Sequence, residues 1–248
     1  MTPPAVVVVV PWRDKGDPGR RRNLRAVAAH LYAAGLGPVY LSSDGRRGDA
    51  PFNRSAAYNR AVTAHPDTPM FVFCEADLLV PHPQLRAAIQ MADRPGMVVP
   101  FEEYRYMSQL HSIAACVGLA DPFTLKPQRV MGRGRAVGPC NVLSAGTLAA
   151  VGGWDEHFEG WGWDDRAMEH GFTIATGVPT RFVPGPAVHL YHTPGWRVGG
   201  PFHGGADTVP DAEQAATRAN RDRYARYLRA STAQQIRRLT TAARSVCV

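Results

Sequence analysis
Cysteine is scarce in this chain: Cys74, Cys116, Cys140 and Cys247 stand far apart, with no Cys-x-x-Cys pair. That spacing excludes a disulfide-stapled scaffold and a zinc module, and it fits reduced, mostly buried thiols in a cytoplasmic protein. Long apolar runs are missing as well. The longest, Ala5 to Val10 in "MTPPAVVVVVPWRD", is too short to span a bilayer and has no basic segment before it, so neither a signal peptide nor a membrane span is expected. Lysine occurs only at Lys15 and Lys126, and the other cations are arginines. No sequence repeats and no clear linker interrupt the 248 residues.

What is present describes an ordinary globular chain, 45% hydrophobic and 20% charged, which excludes intrinsic disorder. The net charge of +7 suits polyanionic partners such as nucleic acid, anionic lipid or phosphorylated substrates. Arginine and alanine usage of this kind also follows from a GC-rich genome, and charge alone specifies no fold.

Hydrophobic periodicity alternates between two types. Residues 5–10 read as a strand covered on both faces, and 22–37 as a helix with Leu24, Val27, Ala28 and Leu31 on one side. A strand at 38–44, a helix at 52–65, a strand at 69–81, a helix near 83–92 and a strand at 96–102 follow. Strands alternating with helices predict an α/β fold with a mostly parallel central sheet flanked by helices. Ligands collect beyond the carboxyl ends of such strands, where Pro11 to Asp14, Asp44 and Glu75 to Asp77 fall. Beyond residue 120 the pattern loosens into a basic Gly-rich loop (129–140) and a Gly/Pro segment (193–210), read as a lid or a connector. An Arg-rich helix follows from Asp211, and the stretch after 230 reads as a loosely held tail, so that 1–230 forms one domain, a monomer or weak dimer.

Three stretches carry chemistry. In "CEAD", Glu75 and Asp77 alternate at a strand end, a place for hard oxygen ligands to Mn2+ or Mg2+, although acids also end strands merely because water solvates them. In "HLYHTPGW", His189 and His192 add imidazoles that Mn2+ tolerates, although surface histidines also pair at this spacing. In "GGWDEHFEGWGWDDRAMEHGF" (152–172), indoles, glycines and six acids crowd together. Trp161 and Trp163 offer flat faces to sugar rings, while Asp164 and Asp165 accept hydroxyl protons. The competing reading makes Asp164 the cap of a helix whose neighbouring Trp rings pack in the core.

In order along residues 6–192, six motifs resemble the nucleotide-sugar glycosyltransferases of the GT-A fold, above all the β-1,4-galactosyltransferases and more weakly the polypeptide N-acetylgalactosaminyltransferases. "PWR" resembles the family's "PFR", "FNRS" its "FNRA", "FCEADL" its "FSDVDL" and "GWGWDD" its "GWGGED". Gly138 through Trp154 matches a "GG" to "GF" stretch in length, and His189-x-x-His192 is similar to a Met-x-x-His metal pair. The resemblance implies a metal-dependent transfer of a sugar from a UDP-sugar to an acceptor hydroxyl. Pro11, Arg13, Asp44, Phe52, Arg54, Glu75, Ala76 and Gly138 would bind the donor nucleotide. Asp77, His192 and His189 would hold Mn2+ (or Mg2+), Trp161, Trp163 and Asp164 would meet sugar and acceptor, and Asp165 would be the general base. Inversion is expected, although the polypeptide-modifying relatives retain configuration. Glu75, Pro139, Trp163 and Asp164 depart from the family pattern around the donor sugar, so galactose is not implied. The acceptor implied is a glycan or protein hydroxyl. The basic charge, with Arg133, Arg135, Arg218, Arg221, Arg223, Arg226 and Arg229, adds a hydroxylated base in phage-type DNA. A non-catalytic glycan- or nucleic-acid-binding module on the same fold is the alternative from another class.

Overall fold
Val6 to Val10 are all buried, which a strand achieves only with neighbours at both edges and layers over both faces. The computed structural model, which describes residues 6–47, 50–193 and 211–241, provides that setting. Strand β1 (Val6–Pro11) lies between β2 (Val39–Ser42) and β3 (Met70–Cys74), parallel to both, with Val8 opposite Val39 on one side and Val72 on the other. Helix α1 (Pro18–Ala33) connects the first two strands. It begins four residues before the periodicity suggests, because Asp17 accepts from the Gly19 and Arg20 amides and Pro18 occupies the first helical position. Helix α2 (Arg54–Ala64) is capped by Asn53 and leads into β3.

The strand expected over 69–81 is broken. After β3 the chain turns through Glu75 to Asp77, and β4 (Leu78–Leu79) joins a second sheet. Helix α3 (His82–Met91), β5 (Val98–Val99), β6 (Glu103–Tyr106), α4 (Gln109–Cys116) and β7 (Arg129–Met131) follow. Then come β8 (Cys140–Ser144), α5 (Ala145–Val151), α6 (Asp164–Thr176), β9 (Arg181–Phe182), β10 (Pro186–His189), α7 (Asp211–Leu228) and α8 (Ala233–Thr241). The main sheet has the order β2-β1-β3-β8-β5-β9, and the smaller one β4-β10-β6-β7.

The α/β class and the mostly parallel central sheet are as expected, with one exception: β8 runs antiparallel to both β3 and β5, so the sheet is mixed rather than purely parallel. The reason is where the chain re-enters. It returns from the second sheet at the carboxyl end of β3, pairing Cys140 with Cys74, and has only one direction in which to run.

Residues 233–241 correct the expectation of a loose tail. They form α8, whose Ile236 and Thr240 are buried. A Cβ at Gly171 of α6 would lie 3.3 Å from both Ile236 and Tyr227, so the absence of a side chain there lets α7 and α8 seat closely on α6. Residues 242–248 and, apart from Thr193, the expected lid 193–210 with Trp196 lie outside the described residues. Among the described residues no helix is long and apolar enough to cross a membrane.

Candidate metal and donor site
The break after β3 builds the first part of the site. In the β4–β10 ladder Leu78 faces His189, and the Leu190 amide donates to the Asp77 carbonyl at 2.8 Å, so the acid and the histidine strand are locked side by side. The next turn is fixed from outside: Tyr191 N donates to Ser112 Oγ of α4 at 2.7 Å, and Asn23 of α1 donates to the Tyr191 carbonyl at 3.0 Å. His192 is thereby aimed back, with its Nε2 3.0 Å from Asp77 Oδ2, while His189 Nε2 lies 3.8 Å from Oδ1. One ligand atom from each of Asp77, His189 and His192 lies within 4.8 Å of the others. Tyr104 and Tyr106, on one face of β6, bring their rings to 5.5 and 5.1 Å from the His189 ring.

The chemistry of this trio fits a divalent cation. Asp77 is buried, and its Oδ1 has no hydrogen-bond partner, a costly arrangement that a cation relieves. Burial pushes the Asp77 carboxyl up, but the adjacent His192 and His189 outweigh it and hold the group below the usual carboxylate range. Burial pulls His192 down, and the Asp77 charge and hydrogen bond reverse this, leaving it above its ordinary value. One carboxylate with two imidazoles suits Mn2+ better than Mg2+, which favours oxygen alone.

Beside the trio stands a second cluster, organised by Arg54 at the start of α2. Its guanidinium bonds Glu75 through Nη1 and Asp164 through Nε (3.0 Å) and Nη2 (2.6 Å), and it reaches the Gly138 carbonyl at 3.4 Å. Glu75 also donates its amide to the Pro139 carbonyl at 2.9 Å, so the β3–β8 pairing sets the 138–139 turn against the acidic turn. Burial pushes the Glu75 carboxyl up to about 7 against the pull of Arg54, with Asp77 and Asp164 adding to the rise. Asp165 follows on the first turn of α6 and is also raised, by burial first and then by the Asp164 charge. A Cβ at Gly138 would meet the Asp165 Cβ at 2.7 Å and Arg54 Nη2 at 3.0 Å. Gly138 is thus a contact point between the two charged side chains.

A third group sits at the ends of β1 and β2. Arg13 Nη1 is 3.3 Å from Asp44, the guanidinium lies 5.5 Å from the Phe52 ring centroid, and Nη2 donates to the Ala50 carbonyl. Asp44 also accepts from the Asn53 amide at 3.0 Å. Arg13 Nε is buried without a hydrogen-bond partner, so the guanidinium, though ion-paired with Asp44 through Nη1, retains donor capacity for an anion. Pro11, at the end of β1, precedes it, and Ala76 is buried in the turn between Glu75 and Asp77.

The Trp- and acid-rich segment divides in two. Trp154 and Asp155 are buried structural groups: the Trp154 ring packs on Tyr58, Phe73 and Phe172, and Asp155 accepts from Arg223 (2.5 and 2.9 Å) and Tyr227 (2.8 Å) of α7. Trp161 and Trp163 are exposed, at 44% and 37%. Trp163 is the one non-glycine among the described residues with positive φ (71°), and its ring stacks on Tyr224 at 5.4 Å. It occupies the N-cap position of α6 without a side-chain hydrogen bond, and Asp164, expected on one reading to cap that helix, is bound to Arg54 instead.

Ser112, Asn23, Tyr104 and Tyr106 lie outside the motifs that mark the site in the sequence. The Tyr-x-Tyr alternation in "EEYRYM" marks one strand face and was the available signal. The polar pair that holds the 191–192 turn has no local signature.

No protein-family model matches the chain, and no curated protein matches it. Among solved structures it is similar to the catalytic domain of Drosophila β1,4-galactosyltransferase 7 in complex with xylobiose, at a TM-score of 0.46 and 16% identity. A mutant of that enzyme with manganese, UDP-Gal and xylobiose gives 0.45 and 16%. In both cases 72% of this chain is covered, and it spans 64% of the length of the other. A glycosyltransferase involved in glycosylation of the major capsid of PBCV-1 gives 0.41 and 12%, over 77% of this chain and 94% of that one.

Proposed function
We propose that the protein is a metal-dependent glycosyltransferase that moves a sugar from a UDP-sugar to an acceptor hydroxyl. The observation that carries this reading is the convergence of Asp77, His189 and His192 beside the carboxylates bridged by Arg54. A binding module needs no such neighbouring sets, one able to hold a cation and the other able to accept a proton.

Asp77, His189 and His192 would hold Mn2+ (or Mg2+), which supplies charge compensation for a departing diphosphate. Arg13 and Phe52, with Pro11, Asp44 and Ala76 shaping the rim, would bind the nucleotide, the Arg13 Nε donor taking an acceptor group. Arg54, already engaged by two acids, would position Glu75 and Asp164 rather than clamp a phosphate. Asp165 would take the acceptor proton: burial raises its affinity for a proton, while Asp164 is held in an ion pair with Arg54. Trp161, and Trp163 with Asp164, would form the sugar-facing wall. Attack assisted by a base opposite the leaving group inverts the anomeric carbon, and NMR of the product anomer tests this.

The direct experiment is release of UDP from a panel of UDP-sugars with Mn2+, against glycan, peptide and DNA acceptors. Asp77→Ala should abolish Mn2+-dependent UDP binding in calorimetry, and unaltered binding in that variant would remove the metal assignment.

A further inference from the structure
We propose that the cavity beside α6 is a carbohydrate subsite, holding a neutral sugar ring of an acceptor glycan. The inference rests on the transferase reading for the word acceptor, but the site itself is argued from its own residues. Arg166, Glu169, His170 and Thr173 recur at helical spacing on one side of α6 and, with Thr180, Phe182 and Tyr224, line a cavity of about 480 Å3. That is room for a small ligand.

The lining selects among ligands. Its cations are already engaged: Arg166 donates to Glu169 at 2.9 Å through Nη1 and to the Gly134 and Arg135 carbonyls at 2.6 and 3.1 Å through Nη2, and Arg133, stacked over Phe182 at 5.1 Å, pairs with Glu102 at 3.2 Å. A phosphate would therefore compete with Glu169 for Arg166 and with Glu102 for Arg133, which disfavours a nucleic-acid backbone. His170 Nε2 and Thr180 Oγ1 are both buried without a hydrogen-bond partner. A sugar hydroxyl donates and accepts at once, so it satisfies either histidine tautomer and the threonine, whereas an apolar ligand satisfies neither. Tyr224 adds a flat apolar surface of the kind that the C–H face of a pyranose requires, and Phe182 adds another, covered on one side by Arg133.

Location connects the cavity to the reaction. Tyr224 stacks on Trp163, with an interplanar angle of 22°, and Arg166 directly follows Asp165. The aromatic wall thus runs from the proposed base into the cavity. A second sugar of an acceptor whose first sugar meets Asp165 would lie there, so the acceptor is a glycan of at least two residues.

The test is amide NMR of the full chain titrated separately with cellobiose, chitobiose, N-acetyllactosamine and inorganic phosphate. A disaccharide should shift the signals of Glu169, His170, Thr180 and Phe182, and Thr180→Val should weaken it about tenfold, the loss of one buried hydrogen bond. Glu169→Gln, which keeps shape and removes charge, should still bind the sugar. UDP binding with Mn2+ should be unchanged in both variants, so a failure of the donor reading shows itself separately. Movement of these signals by phosphate alone, or by none of the three disaccharides, would overturn the subsite.

Discussion

Gly138→Ala probes the juxtaposition on which the site depends. The added Cβ would lie 2.7 Å from the Asp165 Cβ, with Asp165 Oδ2 and Arg54 Nη2 both at 3.0 Å. Carbon atoms rest at about 3.5–4.0 Å, so the 138 turn and the first turn of α6 must separate by about 1 Å. Arg54 cannot yield easily, because Glu75 and Asp164 hold it from two sides. Overpacking of this kind costs about 1–3 kcal/mol, which for a chain of this length lowers the melting temperature by about 2–12 °C. A displacement of about 1 Å at a reacting group lowers turnover by about 10²-fold, while the proposed cation site at Asp77 should be unaffected. The informative version is a double-mutant cycle with Asp165→Gly, which removes the obstructing Cβ. In that background most of the stability cost of Gly138→Ala should vanish, giving a coupling of about 1 kcal/mol in urea unfolding. Strictly additive effects, or a Gly138→Ala melting curve that overlays the parent, would show that the turn and α6 do not meet.

Asp165→Asn should reduce turnover by about 10²–10⁴-fold with nucleotide binding intact. Because burial and Asp164 raise the Asp165 carboxyl, activity should fall on acidification with a midpoint above the ordinary 3.8, and a limb at or below that value would point to another base. Asp155→Ala strands Arg223 in a buried setting and should cost about 3–5 kcal/mol, read as a drop in melting temperature of about 6–20 °C. A shift under about 2 °C would mean that α7 is not anchored there.

The parts of the architecture legible in the sequence were those with strong local patterning. The valine run of β1, the amphipathic α1 and the helix α2 follow from periodicity, and they set the rim where Arg13 and Asp44 meet. Asp77 and His192 are more than a hundred residues apart, and only an ordered series of motifs connected them before their 3.0 Å contact was seen. The direction of β8 was not legible, because two residues of β5 and five of β8 carry no mark of orientation. Nor was α8: its register matters only once Gly171 and Tyr227 provide a surface for Ile236.

The coexistence of indoles and carboxylates in 152–172 resolves through a division of labour that composition conceals. Trp154 and Asp155 face inward, the ring completing an aromatic cluster and the acid neutralising Arg223, so that α7 is fastened to the segment by its first half. This also removes Arg223 from any phosphate-tracking face of α7. Fastening α7 places Tyr224 under Trp163, and that stack supports a tryptophan whose left-handed backbone costs about 1–3 kcal/mol. The same strained residue starts α6 where Asp164 reaches Arg54 and Asp165 reaches Gly138. Buried acid, α7 and surface indole are therefore successive supports for one carboxylate, and loosening the first should be felt at the last.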